Sequence, residues 1–262
     1  MDNRPIGIFD SGVGGLSILL EIQKLLPEET FIFVADQAFV PYGKKSKAEL
    51  VDRVTRIINF FVSCDVKAVV MACNTATVYT VDEMRAIFDI PIIGTVPVVK
   101  TLGEISKSRK AAVFSTPATA ESPYLTALIT KFAPNVEIYK VGGSNLEELV
   151  EEGDLNSPKI TTILQSELIP LIEKGVDSIA LGCTHYPFLR GKIQEVVGDE
   201  VRLVDSGSAV AHRLSFILNN NSILAEHKKV DEFYTTGDKN KFKKVAETLM
   251  QKNIDRVSHL DI

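Results

Sequence analysis

Two of the three cysteines in this chain share a setting that favours chemistry. The apolar run Val69-Val70-Met71-Ala72 ends at Cys73, and Asn74-Thr75 and a helix-like segment over 76–88 follow. The run Ser178-Ile179-Ala180-Leu181-Gly182 ends at Cys183, and Thr184-His185-Tyr186 follow, with Pro187 placed to open a helix. Each reads as a buried strand delivering a thiol to a helix N-terminus, where open parallel sheets keep their ligand sites. Such a terminus is expected to lower a thiol pKa from about 8.5. A pair of thiols on opposite faces of one carbon can remove a proton from one side and return it to the other. That inverts a stereocentre, provided one sulfur is thiolate while the other is thiol. Asp10 is placed to orient Cys73 or take its proton, and His185 to serve Cys183 in the same way. Cys64, in a helical stretch without polar neighbours of this kind, reads as a small hydrophobe.

Other polar groups end apolar strands. Asp10-Ser11-Gly12-Val13-Gly14-Gly15 follows the run 6–9 and suits an anion, although its glycines do not match a dinucleotide fingerprint. Tyr42-Gly43, Asn74, Thr75, Thr116, Thr119 and Thr184 can cap helices or grip the ammonium and carboxylates of an amino acid. His212, His227 and His259 have no partner spacing and read as surface or capping residues. Cys183 and His185 alone make no zinc pattern, so no metal is expected. No lysine sits in a pyridoxal-phosphate context, and no cofactor is expected.

The elements that must position these groups alternate. Strand-like runs at 6–9, 31–35, 69–72, 91–94, 111–114, 136–141, 178–181, 201–204 and 233–235 are separated by helical spacing. One helix is expected after Ser115-Thr116-Pro117-Ala118-Thr119, running through about Lys131. Ser157-Pro158 reads as an N-cap and first turn, and Pro170 predicts a kink or an early end in the helix that follows. Phe233-Tyr234-Thr235 reads as the last strand, and 239–250 as the last helix. Such alternation implies parallel sheets with helices on both faces. Asp10-Ser11-Gly12 recurs as Asp205-Ser206-Gly207, and the Cys73 motif as the Cys183 motif, in an order that excludes a simple tandem copy. The expectation is two pseudo-symmetric, doubly wound α/β lobes facing each other across a cleft. One comprises residues 1–95 with 208–262 and the other residues 96–207, with the active site between them.

Length and composition limit the rest. The 262 residues suffice for one large or two small domains. A net charge of −5 without a long basic run argues against nucleic acid as a partner. The N-terminus lacks signal-peptide regions, and no apolar run is long enough for a membrane span. A cytoplasmic protein is therefore expected, with free thiols.

Asp10-Ser11-Gly12-Val13-Gly14-Gly15-Leu16, Pro41-Tyr42-Gly43, Ala72-Cys73-Asn74-Thr75-Ala76, Gly182-Cys183-Thr184-His185-Tyr186-Pro187 and Asp205-Ser206-Gly207 resemble the glutamate racemase family over nearly the whole chain. The resemblance implies cofactor-independent, two-base interconversion of L- and D-glutamate, supplying D-glutamate for peptidoglycan. It implies Cys73 acting on the D face and Cys183 on the L face, assisted by Asp10, His185 and Glu151. Ser11, Tyr42, Gly43, Asn74, Thr75, Thr116, Thr119 and Thr184 resemble its substrate contacts, with Asp10 and His185 among them. A homodimer is also implied. Where many members carry an arginine before the Pro-Tyr-Gly turn, this chain has Phe39. Some members carry a longer N-terminus linked to activation by a peptidoglycan precursor; nine residues precede Asp10 here, and the resemblance does not extend to that regulation. Three other readings compete: an aspartate racemase, a hydrolase or amidotransferase with Cys183 as nucleophile, and a non-catalytic amino-acid binder.

Overall fold

The computed structural model describes residues 1–143 and 145–262. Two compact units emerge: Met1–Thr95 with Gly207–Ile262, and Val96–Ser206. In chain order the first unit contributes β1 (Ile6–Asp10), α1 (Leu16–Leu25), β2 (Phe31–Ala35), α2 (Lys47–Ser63), β3 (Ala68–Met71), α3 (Asn74–Ile87) and β4 (Ile92–Gly94). The second contributes α4 (Val99–Ile105), β5 (Lys110–Ser115), α5 (Pro117–Glu121), α6 (Pro123–Phe132), β6 (Glu137–Gly142), α7 (Leu146–Glu151), α8 (Pro158–Glu173), β7 (Ser178–Leu181), α9 (Arg190–Val197) and β8 (Arg202–Asp205). The chain then returns to the first unit with α10 (Gly207–Asn220), β9 (Glu232–Thr235), α11 (Lys239–Met250) and β10 (Val257–His259).

Both sheets are parallel throughout. The first runs β10-β9-β2-β1-β3-β4 and the second β6-β5-β7-β8. Right-handed crossovers then fix which helix covers which face. In the first unit α1 and α2 must lie on opposite faces, because β1→β2 and β2→β3 move in opposite directions. The packing agrees: α1 touches α10 and α11, and α2 touches α3. Strands buried on both faces read as continuous apolar runs, as Phe31–Ala35 and Ala68–Met71 do. Phe33 stacks on Phe242 of α11 at 6.3 Å. The second core gathers Val99, Leu102, Ala111, Val113, Leu125, Ala133, Val136 and Ala180.

In each unit the strand order reverses between the first and third strands: β1 and β3 in one, β5 and β7 in the other. Cys73 and Cys183 follow these third strands and so occupy topologically equivalent places. The other sequence echo does not. Asp10 ends a first strand, whereas Asp205 ends a fourth.

Some local expectations change. The helix expected after Thr119 starts earlier, at Pro117, and breaks at Ser122-Pro123, where Ser122 ends α5 and caps α6 through its hydroxyl. α8 runs through Pro170 to Glu173 and does not stop early. Ser157 precedes it without a side-chain cap bond. Tyr186–Leu189 is a 3₁₀ turn ahead of α9. A further strand, β10, pairs with β9 at the sheet edge, and its short polar sequence gave no alternating signal. Cys64 is half-buried and caps the C-terminus of α2. His212, His227 and His259 are exposed. Among the described residues, no helix is long and apolar enough to cross a membrane.

Candidate active site

At the carboxyl ends of β1 and β3 the first unit presents Asp10 and Cys73. Asp10 is fully buried, and its carboxylate accepts the Gly12 N–H at 2.8 Å. Cys73 caps α3, its sulfur accepting the Ala76 N–H at 3.5 Å and lying 3.6 Å from Ser11 Oγ. These contacts favour a thiolate, as the sequence suggested, but they do not prevail. Burial first, and the Asp10 charge second, push the Cys73 thiol up to about 12. The expected lowering is therefore corrected to a rise: a helix terminus loses to the desolvation of a buried sulfur near a carboxylate.

Asn74 and Thr75 are buried at the first turn of α3. Asn74 Nδ2 is a buried donor with no partner. Tyr42 lies buried on a 3₁₀ turn, Tyr42–Lys44, on which Gly43 is exposed. The turn is held from below by Asp36, a residue the motif reading passed over. Asp36 is fully buried and accepts from Tyr42 Oη at 2.6 Å, Thr236 Oγ1 at 2.9 Å and Arg53 at 2.6 and 2.9 Å. Its one sequence signal was a carboxylate placed directly after the all-apolar strand β2. Burial, and then Asp36, raise the Tyr42 phenol well above its usual range.

The second unit presents Cys183 from the end of β7, with both Cys183 and His185 buried. Cys183 Sγ lies 3.6 Å from His185 Nδ1, and His185 Nε2 lies 2.7 Å from Glu151 Oε1 at the end of α7. The neighbouring Glu152 is exposed. Burial raises the Cys183 thiol and His185 pulls it back, while Glu147 adds to the rise. Burial would lower His185, but its bonds to Cys183 and Glu151 outweigh that and hold it well above its usual value. The imidazole thus bridges the sulfur and the carboxylate.

At the end of the adjacent strand β5, Thr116 caps α5 by accepting the Thr119 N–H at 3.3 Å, and their hydroxyls lie 3.2 Å apart. Thr119 and Thr184 are buried. Tyr186 stacks on Phe114 at 4.6 Å, and its hydroxyl donates to the Ser115 carbonyl at 3.3 Å. This bond ties the Cys183 loop to β5. Among the described residues no three His, Cys, Asp or Glu side chains gather as a metal site.

Residues 16–214 match the family model described as Asp/Glu/hydantoin racemase. The chain is 42% identical over 255 residues to the glutamate racemase of Pseudomonas putida KT2440, covering 97% of this chain and 96% of the relative. The chain belongs to the glutamate racemase family. Solved family structures agree over the full length. The glutamate racemase of Francisella tularensis in complex with D-glutamate is 31% identical at a TM-score of 0.87, covering 100% of this chain and 98% of that one. The Escherichia coli glutamate racemase, in complex with L-glutamate and the activator UDP-MurNAc-ala, is 30% identical at a TM-score of 0.88, covering 98% of each chain.

Proposed function

We propose that this chain interconverts L- and D-glutamate without a cofactor, Cys73 and Cys183 working as the two acid/base groups on opposite faces of one Cα. One observation carries the assignment of these groups. Both thiols stand beyond the third strand of equivalently ordered sheets, each beside a proton partner of its own. Membership of the glutamate racemase family supplies the substrate.

Starting from L-glutamate, the Cys183 thiolate takes the Cα proton, and the C–H electron pair passes into the α-carboxylate as an enolate-like carbanion. The Cys73 thiol then donates its proton to the opposite face, leaving D-glutamate, Cys183 thiol and Cys73 thiolate. The reverse direction exchanges the roles. The enzyme resets through solvent, with Asp10 serving Cys73 and the His185–Glu151 pair serving Cys183. Burial holds both resting thiols protonated, so the substrate ammonium has a second role: its positive charge favours the thiolate that attacks next to it. Asn74 Nδ2, a buried donor lacking an acceptor, suits a substrate carboxylate, and the Ser11, Tyr42, Gly43, Thr75, Thr116, Thr119 and Thr184 groups complete the grip.

The same reading supplies D-glutamate for peptidoglycan, in the cytoplasm, from a homodimer whose mass sedimentation will read. The activity is tested by circular dichroism of each glutamate enantiomer in deuterated buffer with no added cofactor, beside each aspartate enantiomer. Decay of both glutamate signals to zero with deuterium at Cα is expected, and slow or absent decay for aspartate. A stable acyl-enzyme mass, or no exchange at all, contradicts the reading.

A further inference from the structure

The Cys183 loop faces a second carboxylate besides Glu151. Glu147 lies one turn earlier on α7, and residues four apart share a helix face. The two carboxylates are used differently. Glu151 is committed to His185 at 2.7 Å, whereas Glu147 Oε2 is buried and has no hydrogen-bond partner. The Glu147 charge raises both the Cys183 thiol and the Tyr186 phenol, so its carboxylate lies near the Cys183 loop, on the helix face that Glu151 turns to His185. Its neighbours Leu146 and Val150 are buried and fix the helix, while Glu148 is exposed.

A buried carboxylate oxygen without a donor is costly to leave unmade. Its partner must be a donor brought from outside. Glutamate carries two carboxylates, which Glu147 repels, and one ammonium, which it attracts. We infer that Glu147 is a substrate-binding residue whose buried Oε2 receives the α-ammonium of glutamate beside Cys183. This inference rests on the racemase reading above and extends it to a residue outside the family motifs. It also gives the contact a consequence. An ammonium seated on Glu147 offsets a negative charge that otherwise opposes the Cys183 thiolate, so binding and activation of the base are coupled.

The test compares two ligands that differ by the ammonium alone. Calorimetric titration with racemic glutamate, in which no net reaction occurs, is set beside titration with glutarate. Glu147→Gln is expected to weaken glutamate by about tenfold or more, the usual size for a lost charge-assisted bond. Glutarate is expected to bind unchanged or more tightly, because a repulsive charge has gone. Glu148→Gln, on the exposed side of the same helix, should alter neither. Equal weakening of both ligands, or no change in either, overturns the inference. If Glu147→Gln fails to fold by circular dichroism, Glu147→Val removes the carboxylate together with its desolvation cost, and the same glutamate-to-glutarate ratio decides. Failure of the racemase reading looks different. A wild type that turns over neither enantiomer yet loses glutamate selectively in Glu147→Gln keeps the ammonium contact while losing the reaction. A wild type that racemises, with a variant that binds glutamate equally well, loses the contact alone.

Discussion

His185 Nε2 lies 2.7 Å from Glu151 Oε1, although 34 residues separate them in the chain. The other ring nitrogen faces Cys183 Sγ at 3.6 Å, so one imidazole joins a carboxylate to a thiol. Its raised pKa has a definite sign in stability. The contribution is fully present below the unfolded value of about 6.5 and is lost as pH rises through the higher folded value. Glu151→Gln removes one of the two bonds that raise it. The NMR titration midpoint of the His185 ring is expected to fall, and kcat to drop by about 10–100-fold with little change in KM. An unchanged midpoint contradicts the pairing.

Cys73 supplies a second prediction. A thiol at about 12 is almost wholly protonated at pH 8, whereas an ordinary thiol near 8.5 is about a quarter ionised. Alkylation of Cys73 by iodoacetamide in the free protein is expected to run about a thousandfold slower than that of a small-molecule thiol, and to accelerate with pH up to the limit of the fold. Mass mapping of the labelled peptide reads it directly. A free-thiol rate at pH 8 contradicts the dominance of burial.

Arg53 is a third point of leverage. It binds Asp36 through two nitrogens, and the same carboxylate receives the Tyr42 hydroxyl. Arg53→Met leaves a fully buried carboxylate without its countercharge. A loss of about 3–5 kcal/mol is expected in denaturant melts, because removing one partner of a buried pair strands the other. KM for glutamate should rise as the Tyr42 turn loosens. Arg53→Lys is expected to recover only part of the loss, since an ammonium cannot reproduce the two-pronged geometry. An unchanged melt sinks this account of the turn.

Gly15 tests how closely the first turn of α1 must approach Asp10. A Cβ there would meet Asp10 Cβ at 2.6 Å and Ala72 Cβ at 3.0 Å. Gly15→Ala is expected to cost about 1–3 kcal/mol, the range for overpacking, and to lower kcat by displacing Asp10. Gly191→Ala, with nothing within 4 Å of the added carbon, should leave activity intact and slightly favour its helix. Equal behaviour of the two variants contradicts the close-approach argument.

Much of the architecture was legible because buried parallel strands write themselves as apolar runs. The runs ending at Asp10, Cys73 and Cys183 could be placed without a structure. β10 could not, because an edge strand of three residues ending in an exposed histidine carries no burial pattern. The break at Ser122-Pro123 was written in the chain as an N-cap and first-turn pair, but the apolar spacing across it suggested one helix. The sign of the Cys73 shift was not legible, since it depends on how completely the sulfur is removed from water. Asp36 with Arg53, and Glu147 on α7, are carboxylates whose importance rests on partners gained or missing in three dimensions. No motif marks them.

The division of labour between the two thiols is tested most directly by isotope exchange in single variants. Cys73→Ser and Cys183→Ser are each incubated with L-glutamate and with D-glutamate in deuterated buffer, and Cα deuterium and optical rotation are followed together. Racemisation should fall by about a thousandfold or more in both. Cys73→Ser should retain exchange of L-glutamate alone, without inversion, and Cys183→Ser exchange of D-glutamate alone. If either variant exchanges both enantiomers, or racemises at the wild-type rate, the two-thiol account is wrong.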